Sequence, residues 1–160
     1  AITFLRKKGL AKADKKSDRQ TGDGSVGTYI HAGNKLGVMV ELNCETDFVA
    51  NTPDFQELVR DIAMHIAAAK PRFATREEVT QEILDKEKEI AAHQAKESGK
   101  PDNIVEKIVS GKMEKFYEEN CVLEQPFIKD TNITVQELIK QKIALLGENI
   151  NIGNFARFEV

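Results

Sequence analysis

An apolar residue recurs at every second position over residues 36–43, where Leu36, Val38, Val40 and Leu42 alternate with Gly37, Met39, Glu41 and Asn43. A period of two is that of a strand with one buried face. The β-prone stretch 26–32 lies just before it. Between them, Ala32-Gly33-Asn34-Lys35 holds residues that tolerate positive φ, so the pair predicts an antiparallel hairpin. Past Asn43 the period changes. Thr52-Pro53-Asp54 combines a capping hydroxyl, a proline suited to the first turn and an acid favoured at a helix start. Phe55, Leu58, Val59, Ile62, Ala63, Ile66 and Ala67 then recur at spacings of three and four. The pattern predicts a helix over residues 53–70, laid on the sheet and stopped by Pro71. At about 100° per residue, Met64 falls on the pole opposite this stripe and His65 at its edge.

A second helix is expected after the capping-box pair Thr75 and Glu78, through Ile83, Leu84, Ile90 and Ala91 to Ser98-Gly99. A third runs from Pro101, with Ile104, Val105, Ile108, Val109, Phe116 and Tyr117 on one face and an interruption at Gly111. The stripe of the second helix is thin, so this pair, residues 80–117, is expected to face solvent or another subunit in part. Residues 121–130 show no period. Thr134 and Glu137 open a further helix with Leu138, Ile139, Ile143 and Leu146, closed by Gly147. Residues 150–160 alternate as a strand whose natural partner is the early hairpin. The fold class is therefore α+β: a three-stranded antiparallel sheet covered by helices, with a helical pair inserted before the last helix and strand.

With 160 residues, 41% of them hydrophobic and 31% charged, the chain can bury one core and little more than one domain with an appendage. No apolar run approaches the roughly 20 residues that span a bilayer, and the N-terminus lacks the apolar middle of a signal peptide. Cys44 and Cys121 sit in unrelated contexts and read as buried free thiols. The net charge of −3 argues against a dedicated nucleic-acid binder. Locally, Arg6, Lys7, Lys8, Lys12, Lys15, Lys16 and Arg19 are basic, which fits either a solvated helix end and linker or an RNA contact. Ile2, Leu5 and Leu10 recur at roughly helical intervals without visible packing partners, so residues before about Gly24 are expected to be poorly ordered. Residues 14–25 have linker composition. The expected division is residues 1–24, helix end plus linker, and 25–160, the core domain.

Catalytic chemistry is not visible. Gly22 and Gly27 have the spacing of a phosphate loop, but Thr28-Tyr29 follow where Lys and Ser or Thr are required, so they read as linker glycines. His31, His65 and His93 lie on different elements without metal-pair spacing, and Glu77-Glu78 and Glu118-Glu119 read as solvated helix faces. No cofactor is expected. Such a chain suits a protein whose chemistry lies in a partner.

The stretch joining strand to helix, Asn43-Cys44-Glu45-Thr46-Asp47-Phe48-Val49-Ala50-Asn51, admits two readings. Thr46 and Asp47 could cap a turn while Phe48 enters the core. Alternatively, the connector sits at the sheet rim and forces Phe48 and Val49 outward, as recognition loops do. The wording of the stretch favours the second, because residues 42–50 closely resemble the signature of elongation factor Ts. Agreement extends in order along the chain through Gly27-Thr28-Tyr29-Ile30-His31, Ile62-Ala63-Met64-His65-Ile66-Ala67, Leu123-Glu124-Gln125-Pro126-Phe127 and Gly147-Glu148-Asn149-Ile150-Asn151-Ile152.

The resemblance implies a guanine nucleotide exchange factor that binds elongation factor Tu and promotes GDP release without covalent catalysis. It implies that Thr46, Asp47, Phe48, Val49 and Ala50 form the partner contact near the GTPase's Mg²⁺ and nucleotide site. Met64 and His65 are implied to form a second contact. Residues 4–13 match the last helix of an N-terminal three-helix module, so the chain is expected to be the core of a short, single-unit member with most of that module missing. Short members work as homodimers. The implied setting is the cytoplasm of a bacterium, or a plastid or mitochondrial matrix. The chain departs from the commoner family pattern at Asn51 and at Gly153-Asn154, where basic residues are frequent. A ribosome- or RNA-associated module using the basic N-terminal segment is the alternative, and it would show steep salt dependence.

Overall fold

A computed structural model describes residues 1–160 and divides them into two compact units, Ala1–Lys70 with Pro126–Val160, and Pro71–Gln125. In the first unit, β1 (Asp23–Ile30), β2 (Leu36–Cys44) and β5 (Asn151–Glu159) form an antiparallel sheet in the order β1-β2-β5. The last strand thus pairs with the early hairpin as the alternation predicted. Val38, Val40, Leu42 and Cys44 alternate inward from the central strand and are buried. They meet α3 (Pro53–Ala69), whose Phe55, Leu58, Val59, Ile62, Ala63 and Ile66 are also buried. Burial of each large side chain contributes about 1.5–3 kcal/mol, so this strand-helix layer is the main source of cohesion.

Gly27 lets α3 lie close to β1, since a Cβ there would stand 2.0 Å from Val59 Cγ1. It is a packing residue within a strand, which corrects its reading as a linker glycine. The end of α3 is held by Arg157, whose Nε and Nη2 each donate to the Ala67 carbonyl at 3.1 Å.

On its other side α3 is covered by a small hairpin, β3 (Pro126–Phe127) and β4 (Asp130–Thr134), and by α6 (Val135–Leu146). The first strand of the hairpin falls in the stretch that showed no period, because a two-residue strand is too short to display one. Thr134 caps α6 by accepting from the Glu137 N–H at 3.2 Å, and Gly147 closes it at φ +80°. The N-terminal segment is helical as α1 (Ile2–Asp14) and packs on α6. Arg6 pairs with Glu137 at 2.9 Å, Asp14 pairs with Lys140 at 2.9 Å, and Ala13 is buried. The expectation that this segment lacks partners within the chain is therefore corrected: its small-residue side fits α6, while Ile2, Phe4 and Leu5 stay exposed.

In the second unit, α4 (Gln81–Glu97) and α5 (Asp102–Asn120) pack side by side. Thr75 and Glu78 do not open α4. Glu78 accepts from the Ala74 N–H at 3.0 Å, yet only one tight turn forms, because Val79 is extended and Thr80 caps the helix instead. Gly111 does not interrupt α5; an exposed glycine inside a packed helix costs only about 1 kcal/mol. Ile83 and Leu84 pack on the cluster of Val79, Phe116 and Cys121, and Ala91 is buried. The stripe is thus satisfied in part within the chain, while Ile90 of α4 and Ile104 of α5 stay exposed. Burial pushes the Cys121 thiol up to about 11, and Arg76 forks onto Glu124 while lying 4.3 Å over the Tyr117 ring. No helix is long and apolar enough to cross a membrane.

Candidate functional site

The connector after β2 folds into α2 (Asp47–Ala50), one turn at the rim of the sheet. Thr46 is extended, at φ −136° and ψ 155°, and its hydroxyl accepts from the Val49 N–H at 3.4 Å. Thr52 ends the turn by donating to the Val49 carbonyl at 2.7 Å and starts α3 by accepting from the Phe55 N–H at 3.2 Å. Gln56 donates to the Ala50 carbonyl at 2.7 Å and to Ser25 Oγ at 3.0 Å, which ties the turn to β1.

A single turn tethered at both ends sorts its side chains sharply. Val49 and Ala50 are buried, while Phe48 is 82% exposed and Asp47 stands exposed beside it. The reading that placed Phe48 in the core is excluded, and the expectation that Val49 faces outward is corrected. Val49 and Ala50 anchor the turn to β1 and β2, and that anchoring turns the phenyl ring to solvent. Cys44 lies beneath, its Sγ donating to the Thr46 carbonyl at 3.1 Å; burial pushes its pKa up, so it stays a neutral thiol.

Residues 147–151 complete the site. The paired register of β2 and β5 ends at Asn43 opposite Asn151, so the N–H groups of Glu45 and Thr46 past one strand and of Asn149 before the other lie beyond that ladder. Side chains accept from them crosswise. Glu148 Oε1 accepts from the N–H groups of Glu45 at 3.1 Å and Thr46 at 3.0 Å, and Oε2 accepts from Thr46 Oγ1 at 2.7 Å. In return, Glu45 Oε2 accepts from the Asn149 N–H at 2.7 Å, with Arg19 Nη1 3.6 Å away. Asn149 is buried and donates through Nδ2 to the carbonyls of Arg19 at 2.8 Å and Ser17 at 3.3 Å. Residue types gave no signal for Glu45 or Glu148; only their place in family-like words marked them.

Met64 and His65 are elsewhere on the unit. Met64 is half-buried, and His65 is fully buried, with Nδ1 accepting from the Ile128 N–H at 3.3 Å and its ring 6.1 Å from that of Phe127. The expectation that both lie off the buried face is corrected for His65. A helix covered by the sheet on one side and by the β3–β4 hairpin on the other has no free edge at that position. No group of three His, Cys, Asp or Glu side chains is placed to hold a metal ion.

The elongation factor TS family model matches residues 12–160. Elongation factor Ts of Geotalea uraniireducens (strain Rf4) is 60% identical over 158 residues, covering 99% of this chain and 73% of its own. That of Solibacter usitatus (strain Ellin6076) is 58% identical over 156 residues, with 98% and 74% covered, and that of Moorella thermoacetica 56% identical over 160, with 100% and 79% covered. These relatives place the chain in the class of translation elongation proteins. Within that class it belongs to the elongation factor Ts family, and membership implies nucleotide exchange on elongation factor Tu.

Proposed function

We propose that the exposed turn Thr46-Asp47-Phe48 is the part of this chain that drives GDP from elongation factor Tu. The observation that carries the reading is an 82% exposed phenylalanine on a turn whose other apolar residues, Val49 and Ala50, are buried. An aromatic held out at that cost in solvation has a use when it enters a partner. Phe48 wedges between side chains that hold the nucleotide's phosphates and Mg²⁺, and Asp47 adds a negative charge beside it. Exchange then follows from linkage: whatever factor this protein removes from GDP affinity, GDP removes from this protein's affinity. Couplings of about 1–3 kcal/mol correspond to roughly 5- to 150-fold, and no covalent step is needed.

Met64 forms the second contact directly. His65, being buried, supports it through Phe127 and Ile128, the latter partly exposed. The place of action is the bacterial cytoplasm, in keeping with bacterial relatives. The test is release of fluorescent GDP from elongation factor Tu with and without this protein; unchanged release at saturating protein overturns the reading. Met64→Ala in the same assay should raise the half-maximal concentration and leave the melting temperature alone.

The homodimer is proposed through the open face of the sheet. Ile30 and Val26 of β1, Met39 of β2 and Phe158 of β5 are exposed there, Met39 at 54% and Phe158 at 74%. Their partners across the ladder, Gly37 opposite both Ile30 and Phe158 and Met39 opposite Thr28, place them on the side away from α3. A two-fold pair would cover this patch with its own copy and leave both α2 turns accessible. Sedimentation should show a dimer at micromolar concentration, and a Met39→Lys, Phe158→Lys double variant should be monomeric and folded. A monomeric parent protein overturns this part.

A further inference from the structure

We propose that Glu148 is a positioning residue for exchange, holding the α2 turn in the geometry that presents Phe48; the inference rests on the reading of that turn given above. Its carboxylate lies 102 residues away from Thr46 in sequence, yet takes three donors from the two residues that lead into the turn, at 3.1, 3.0 and 2.7 Å. Hydrogen bonds to a carboxylate are the stronger kind, and three on one group fix its neighbours in direction as well as distance. The contact to Thr46 matters most. That hydroxyl has a single proton, and it is committed to Glu148 Oε2. A lone pair is thereby turned toward the Val49 N–H, which it caps at 3.4 Å. Without the carboxylate the hydroxyl can rotate and the cap on the Val49 N–H is no longer enforced, so the start of the turn is held less firmly than its end, which Thr52 and Gln56 tie down.

The geometry is reciprocal, because Glu45, at the start of the same connector, returns a bond to the Asn149 N–H at 2.7 Å. Two carboxylates extend the β2–β5 pairing past its last register pair, and Asn149 ties the far side to the backbone of Ser17 and Arg19. The turn is thus braced from the end of α6 and from the segment after α1, while Phe48 itself touches nothing that would hold it. A wedge that is mobile before encounter loses rate, since ordering it must then be achieved in the complex.

The chain contains no tryptophan, so Phe48→Trp introduces a single fluorophore at the tip of the turn. In the full chain, Glu148→Ala on that background should sharply increase fast tryptophan motion in time-resolved anisotropy. On the parent background it should lower the maximal rate of GDP release about tenfold, the scale of one charge-assisted hydrogen bond. Glu148→Gln, whose carbonyl oxygen still accepts the two N–H groups but whose amide nitrogen cannot take the Thr46 proton, should recover only part of both. Ile66→Val, a buried change on α3 that lowers stability, should leave the anisotropy unchanged. Unaltered anisotropy in Glu148→Ala, or equal loosening by Ile66→Val at matched melting temperature, overturns the inference. Full exchange activity in Glu148→Ala while Phe48→Ala is inactive overturns it too and leaves the turn's role standing. Full activity in Phe48→Ala instead removes the turn's role, and with it the positioning role in exchange.

Discussion

Phe48→Ala is expected to leave the protein as stable as before and to remove most of its exchange activity. The ring is 82% exposed and makes no hydrogen bond or aromatic contact, so truncation creates no cavity; surface changes of this kind stay within about 0.5 kcal/mol. At the centre of a complex, an aromatic anchor is worth about 2–4 kcal/mol, which is roughly 30- to 1,000-fold in rate or affinity. Thermal melting and fluorescent GDP release on the same preparation separate the two effects. A large drop in melting temperature would mean that the ring packs somewhere in the free protein and that the turn is structural. Asp47→Ala should act in the same direction but more weakly, since an exposed charge contributes less than a buried ring.

His65→Ala is expected to do the opposite, lowering stability by about 2–4 kcal/mol through lost packing against Phe127 and an Ile128 N–H left without its acceptor. Any loss of affinity for elongation factor Tu should then follow the loosening of residues 126–128, and it should be restored when the fold is stabilised elsewhere. Denaturant unfolding at neutral pH gives the first quantity, and titration of exchange rate against protein concentration gives the second. A variant as stable as its parent would show that the imidazole contributes nothing to the core, in spite of its complete burial. Set beside Met64→Ala, the contrast is useful: neighbouring residues on one helix are expected to fail in different assays.

Much of this protein was determined by local pattern. The alternation at Leu36, Val38, Val40 and Leu42, the stripe from Phe55 to Ala67, the caps at Thr52 and Thr134 and the stop at Gly147 are set by period, hydroxyl chemistry and backbone freedom. Each acts within a few residues and can be read without knowing what lies across the fold. The pairing of β5 with the hairpin was equally legible, because an alternating strand must find an edge. Tertiary structure decided everything that depends on what covers an element from outside. His65 is buried because a hairpin with no visible period closes over the second side of α3, and Thr75 fails as a helix cap because Val79 is drawn into a core. The turn at residues 47–50 sends Val49 inward and Phe48 outward, because its start is capped by Thr46 and its end is tied down by Thr52 and Gln56. Glu45 and Glu148 meet across more than a hundred residues, where strand pairing ends and backbone donors must still be satisfied. Both look like surface acids in sequence, and only the fold brings them to the unpaired N–H groups they serve.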